Sequence, residues 1–182
     1  MSSKYAVDIC IELGIQSINV NTLKKINRAH GLAEYIQACM IIKSYGFEVC
    51  THIISTLPWD SDDDVKEASR IISVLDTDSV KLHSMYIEKN TELASMYSDG
   101  EFELLSLDDY VRRTVDFIEL LNPKISIQRL SARAPKERTI FCNWDRSHWV
   151  LDSLVEEELK RRNSYQGKFS DNYSCDSALK NK

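Results

Sequence analysis

Charged and imidazole side chains recur in this sequence where buried strands would ordinarily be apolar. Glu12 and Gln16 lie around the end of one candidate strand, His52 within a second, Lys81 and His83 in a third and Arg129 in a fourth. Parallel strands covered on both faces are otherwise near-continuous runs of Val, Ile and Leu. Glu12, Gly14 and Gln16 share parity, as do Lys81 and His83, so each set points to one face of a regular strand. In α/β proteins ligands bind at the carboxyl ends of the strands. Polar residues converging there suit a binding site. The alternative is structural, an ion pair between Glu12 and Lys81 or Arg129. Both readings stay open here.

Other candidate chemistry is weaker. The four histidines, His30, His52, His83 and His148, show neither i,i+4 nor His-x-His spacing, which disfavours a metal site built by this chain alone. The five cysteines (Cys10, Cys39, Cys50, Cys142 and Cys175) form no CxxC pair, which excludes a self-contained zinc ribbon. Their odd number, with no apolar export signal in Met1–Asp8, suggests free cytosolic thiols and a cytoplasmic location. Cys10 and Cys50 fall in strands and read as packing residues. No GxGxxG, GxxxxGK[ST] or GxSxG occurs, so nothing resembles a nucleotide-phosphate loop or a nucleophile elbow. Asp60–Asp64 lacks the glycine and terminal Glu of a calcium loop. Negative charge at a helix N-terminus explains it better. Arg129, Arg133, Lys136 and Arg138 form a basic stretch that suits an anionic substrate or a solvated loop equally.

The elements that must position these residues follow from periodicity. Val7–Ile11 reads as a buried strand ending in Glu12-Leu13-Gly14. Thr22–Ile26 makes a turn or two of helix, and a longer helix from Leu32 ends at Gly46. Phe47–Ile54 is a second strand. Ser61 and Asp64 then form an acidic capping box before a helix running to about Leu75. Ser79–Ile87 is a third strand, Thr91 starts a helix that Gly100 ends, and Ser106 caps another, stopped by Pro123. Ile125–Leu130 is a fourth strand, and Ser147 caps a last helix that closes on Lys160, Arg161 and Arg162. From Asn163 the chain reads as a polar tail. Strands alternating with helices imply parallel pairing and right-handed crossovers.

Length and charge bound the rest. The 182 residues carry 43% hydrophobic and 28% charged side chains, an ordinary globular balance. A net charge of −5 argues against a generic polyanion binder such as a nucleic-acid protein. No run of 18 apolar residues exists, so no membrane span is expected. About four βα units are half of a closed eight-unit barrel. The sequence is thus read either as a small four-stranded α/β domain or as half a barrel.

Several segments together resemble the radical S-adenosylmethionine proteins. Glu12-Leu13-Gly14-Ile15-Gln16-Ser17 and Leu23–His30, with Asn27-Arg28 inside it, are similar to the fourth-strand region of that family. Cys50–Ile54 with Leu57-Pro58, Lys81-Leu82-His83 and Ile87–Thr91 point to its YhcC-type branch, related to the radical domain of the Elongator catalytic subunit. Arg129-Leu130-Ser131, Ala134-Pro135 and Tyr165–Lys168 fit the same branch. The resemblance implies a partial (β/α) barrel over residues 1–162, followed by the tail at 163–182. It also implies a 4Fe-4S cluster and S-adenosylmethionine at the open top of the intact barrel. Gln16 would lie beside the cofactor, Arg28 would meet its methionyl carboxylate, His52 would lie near the ribose, and Glu12 at the same strand end.

The departures carry expectations of their own. The family's three-cysteine motif belongs to a first barrel half that this sequence lacks, so no cluster is expected on this chain alone. A partner supplying that half, or self-association, is expected instead. The usual Gly-Leu-Pro-Gly-Glu turn is Thr56-Leu57-Pro58-Trp59-Asp60, the Gly before Thr91 is Asn90, and Gly-Asp-Ala-Pro is Ala132-Arg133-Ala134-Pro135. The resemblance thus implies the cofactor-contacting and substrate-side half of an enzyme. The alternative is a non-catalytic half-barrel or a truncated reading frame.

Overall fold

The computed structural model describes residues 7–170. Its elements are β1 (Cys10–Gln16), α1 (Val20–Lys25), α2 (Leu32–Ser44), β2 (Glu48–Ile54), α3 (Asp62–Val74), β3 (Ser79–His83) and β4 (Tyr86–Glu88). They continue with α4 (Glu92–Ser98), α5 (Leu107–Leu120), β5 (Ser126–Arg129), β6 (Thr139–Cys142) and α6 (His148–Arg161). Strands β1, β2, β3 and β5 form one parallel sheet in that order. With helices following the strands, this is a partial (β/α) barrel. β1 lies at one open edge.

Register explains the polar strand residues. Gly14 stands opposite His52, His52 opposite Lys81, and Lys81 opposite Arg129, so one cross-strand row carries them. Ile15, Val49, Ile53, Val80 and Leu82 point to the other face, where they pack with Tyr35 and Cys39 of α2, Val65 and Ile72 of α3, and Phe117 of α5. One face is apolar and helix-covered, and the opposite face is polar. Alternation along each strand dictates this division.

The helices begin where their caps place them. Ser61, Thr91, Ser106 and Ser147 each accept a backbone N–H of the first turn, and the Ser61–Asp64 box closes with both bonds. Gly46 and Gly100 take left-handed backbone just beyond helix ends. The aspartate cluster also does more than complement a dipole. Asp62 pairs with Arg112 and with the buried Arg113, whose Nη2 donates to Asp60 O at 2.8 Å. This ties the start of α3 to α5.

Two expected strands need correction, and one strand is new. The first strand is Cys10–Gln16, not Val7–Ile11. The apolar run stops at Ile11, but pairing with β2 continues through residues whose alternate side chains face the polar side. The strand read as Ser79–Ile87 breaks at Ser84-Met85. There the Ser84 Oγ bonds Asn143 and accepts from Ala132 N, while Thr56 Oγ1 accepts from Met85 N. Side chains replace the ladder at that point. β6, which directly follows the basic stretch, was not anticipated. It pairs antiparallel with β4.

The segment expected to begin a polar tail at Asn163 is docked up to Ser170. Gln166 Nε2 donates to Asn122 O and Ile125 O, Gly167 N to Ile118 O, and Phe169 N to Glu119 O. The tail beyond Ser170, with Cys175, and the N-terminal residues through Ala6 lie outside the described residues. Gly167 has φ of 79°, and a Cβ there would stand 2.6 Å from Pro123 Cδ and 3.1 Å from Leu121 O. Gly167→Ala should therefore cost about 1–3 kcal/mol through left-handed strain and overpacking. Urea unfolding measures this, and an unchanged midpoint contradicts it.

Candidate functional site

A cleft of about 570 Å³ opens at the carboxyl ends of β1, β2 and β3. Gln16, Arg28, His52, His83, Ser84 and Glu88 line it together with Ile26, Leu57, Met85 and Leu93. Three of the four residues picked out for cofactor contact, Gln16, Arg28 and His52, therefore meet at one place. Glu12, the fourth, reaches it through His52.

Local backbone chemistry sets these positions. β1 slips register between Gly14 and Gln16, and Gln16 adopts φ of 64°, rare for a residue with a Cβ. α1 ends with Asn27 in the left-handed region, and Arg28 N donates back to Leu23 O at 2.8 Å. This six-to-one closure turns the chain so that Arg28 reaches β1. Its Nη2 donates to Gly14 O, while its Nε is enclosed without a partner. A Cβ at Gly14 would fall 2.3 Å from Gln16 Nε2 and 3.4 Å from Arg28 Nη2. Glycine is what lets the amide and guanidinium approach.

Below them runs a chain of charged and ring groups. Glu12 Oε1 takes Lys81 Nζ at 2.5 Å and Glu12 Oε2 takes His52 Nε2 at 2.7 Å. His52 Nδ1 meets His83 Nε2 at 3.2 Å, with the rings stacked 5.2 Å apart. Hydrogen bonds from Lys81 and then His52 hold the Glu12 carboxyl below its ordinary range. Burial, then the charges of His52, Arg129 and Lys81, push His83 down to about 4. Of the two readings left open by the sequence, the ion pair is present between Glu12 and Lys81, and the same chain of groups leads into the cleft. Glu12 does not pair with Arg129.

The remaining candidates lie apart. His148 lines a second cavity of about 520 Å³ with Arg133, Lys136 and Arg146, between the β5–β6 segment and the start of α6. Arg138 pairs with Glu88, so the basic stretch is divided among three places. His30 lines neither cavity. Among the described residues, no three His, Cys, Asp or Glu side chains come together to hold a metal ion. The four described thiols, of Cys10, Cys39, Cys50 and Cys142, are free, and burial raises each above its ordinary range. These four thiols do not come together, so the described cysteines do not form a cluster-binding group. No helix among the described residues is long and apolar enough to cross a membrane.

Sequence reasoning placed His83 on the right strand and face but gave it no role, and it passed over Ser84 and Glu88. The parity of Lys81 with His83 was the available signal; the His52–His83 contact needs the β2–β3 register to be seen. Two departures from the family pattern are accommodated. Asn90 holds φ of 60°, a conformation that glycine and asparagine tolerate. Thr56–Asp60 uses no positive φ, and Trp59 packs edge-on to Phe102 at 5.1 Å.

Residues 77–161 match the Radical_SAM C-terminal domain. Uncharacterized protein YtqA of Bacillus subtilis is 34% identical over 169 residues, 93% of this chain and 52% of that protein. Protein YhcC of Escherichia coli is 27% identical over 154 residues, 82% of this chain and 50% of the other. This chain thus spans about half the length of these curated relatives. The solved archaeal Methanocaldococcus infernus Elp3, with an N-terminal deletion, superposes with a TM-score of 0.75 at 22% identity. It covers 91% of this chain and 38% of that one, a likeness of fold.

The depressed His83 gives a signed pH dependence. Its ordinary value of 6.5 falls to about 4 in the folded protein, so the unfolded chain binds the proton more readily. Its contribution to stability is present above pH 6.5 and is lost as pH falls from about 6.5 to about 4. Urea midpoints across that range should fall more steeply for the unmodified protein than for His83→Asn. Parallel slopes would contradict this.

Proposed function

Since this chain is a radical S-adenosylmethionine protein of the YhcC type, carrying a Radical_SAM C-terminal domain, we propose that its cleft contacts S-adenosylmethionine and the substrate side of the barrel. The observation that carries this reading is the convergence of Gln16, Arg28 and His52 from three separate segments on one cleft. Arg28 lines the cleft, and apart from the Nη2 bond to Gly14 O its guanidinium has no hydrogen-bond partner among the described residues. A carboxylate suits it, because the planar guanidinium offers paired N–H groups in a fixed fork. Gln16 brings an amide to the same end, and His52 lies further along the wall. Ile26, Leu57, Met85 and Leu93 supply apolar lining that excludes water.

Bound S-adenosylmethionine supplies hydrogen-abstracting radical chemistry in this class of protein, while the polypeptide binds, orients and shields it. The described cysteines do not form a group that binds the cluster such chemistry requires, so no step is assigned to this chain beyond binding. Calorimetry with S-adenosylmethionine tests the reading. Arg28→Ala should weaken binding about 10- to 100-fold, the effect of a charge-assisted hydrogen bond of roughly 1.5–3 kcal/mol. Equal affinity in wild type and variant refutes it.

The barrel half also has an open flank. Among the described residues β1 pairs on one side only, and α2, which packs against β1 and β2, exposes Met40 by 66% and Ile41 by 51%, with Tyr45 just past its end exposed by 71%. Unpaired strand edges and exposed apolar side chains favour association. In this reading another chain or a second copy adds strands at β1. Sedimentation at rising concentration should show self-association of the isolated chain. A monomer persisting at high concentration supports a self-contained four-stranded domain instead.

A further inference from the structure

Hydrogen-bond valence gives the Glu12–His52–His83 chain a direction. An ionised carboxylate only accepts, so His52 donates its Nε2–H to Glu12 Oε2 at 2.7 Å. Lys81 holds the other carboxylate oxygen at 2.5 Å, which keeps Glu12 ionised and fixed in orientation. A neutral imidazole carries one N–H. With that proton on Nε2, His52 Nδ1 is a lone pair, and its 3.2 Å contact with His83 Nε2 requires His83 to donate. The one proton of His83 then sits on Nε2, and its Nδ1 is left as a lone pair. That atom has no hydrogen-bond partner among the described residues and is not among the fully enclosed unpartnered atoms. His83 itself lines the cleft.

We propose that Glu12, acting through His52, fixes His83 Nδ1 as a hydrogen-bond acceptor facing the cleft, so that the ligand bound there presents a hydroxyl or amino hydrogen to it. His83 is then a specificity-determining residue, and Glu12 and His52 are positioning residues. The ligand assignment rests on the cofactor reading above and deepens it, since ribose hydroxyls and an adenine amino group are donors of this class. The surroundings keep the arrangement in place. Burial first, and then the cations Arg129 and Lys81 that face His83, keep its ring neutral. The two stacked rings lie within 23° of parallel. The direction is also reversible in one defined way. If His52 takes a second proton it donates from both nitrogens, His83 must accept at Nε2, and Nδ1 becomes a donor.

The test uses the full chain labelled with nitrogen-15, whose histidine tautomers are read from long-range proton–nitrogen correlations at neutral pH. Both His52 and His83 should carry their proton on Nε2. Glu12→Ala should give His83 a mixture of tautomers, and so should Glu12→Gln, whose single amide oxygen cannot accept from both Lys81 and His52. A proton on His83 Nδ1 in the wild type overturns the relay, as does a tautomer unmoved in Glu12→Ala. The ligand arm titrates S-adenosylhomocysteine. His83→Leu should bind it about 5- to 10-fold more weakly, the loss of one hydrogen bond. His83→Asn, with an amide oxygen near the Nδ1 position, should recover most of that loss. Equal binding by wild type and His83→Leu overturns the acceptor assignment alone. Absence of binding by the wild type overturns the cofactor reading and the ligand assignment with it, while the tautomers still decide the relay.

Discussion

The carboxylate of Glu12 is the interaction on which the open face of this sheet depends. Helices cover the face built by Val49, Ile53, Val80 and Leu82, and the opposite face carries Glu12, His52, Lys81, His83 and Arg129. Charges set side by side on neighbouring strands, partly out of water, are costly unless paired. Glu12 answers two neighbours at once, one oxygen pairing with Lys81 and one accepting from His52. Without it, Lys81, only 15% exposed in its side chain, would face Arg129 uncompensated, and the His52 Nε2–H would lose its acceptor. The pairing holds three strands in one electrostatic unit, although each strand contributes a single partner.

What rests on that floor is a cleft with rigid supports. Arg113, Asp62 and Asp60 fix the start of α3 against α5. Asp60 accepts from Ser17 Oγ at 2.9 Å, which ties the same corner to the end of β1. The network of Ser84, Asn143 and Ala132 locks the β3–β4 junction to the segment after β5. Gln16 sits in left-handed backbone between these anchors. A non-glycine residue held there stores of order 1–3 kcal/mol of strain and persists only where its surroundings over-determine it. The strained position is also the one that brings an amide to the cleft.

Much of this was legible in the sequence, and for identifiable reasons. Capping serines, helix-ending glycines and the parity of Lys81 with His83 are local signals, and each holds in the fold, whereas the parity of Glu12 with Gln16 is broken by the register slip after Gly14 that sets Gln16 opposite Ile53. The resemblance brought Gln16, Arg28 and His52 together before any geometry was known. The failures share one physical origin. Apolar content marks a strand only where its faces are covered, so the first strand was placed too early, and β6 was passed over directly after the basic stretch. The Ser84 break depends on hydrogen bonds to Asn143 and Ala132, about 50 residues away in sequence, which no local pattern reveals. The His52–His83 contact likewise follows from β2–β3 register. That register becomes known only when the sheet forms.

The two ends of the cleft differ in kind, and the difference constrains what can lie between them. Near β1 stand the guanidinium of Arg28 and the amide of Gln16, groups suited to an anionic head. Toward β3 stand His83 and Ser84, with Glu88 beyond, and the acceptor proposed there is His83 Nδ1. Ile26, Leu57, Met85 and Leu93 lie along the lining and offer no polar partner. A ligand matching all three regions carries a carboxylate at one end, a stretch needing little hydrogen bonding, and donors at the other. S-adenosylmethionine has that order of groups, and a simple phosphate or dicarboxylate does not. The polarity of the wall therefore supports the same cofactor as the motif resemblance, although the two arguments share only Gln16, Arg28 and His52. The His83 end adds a constraint that the motif alone does not contain.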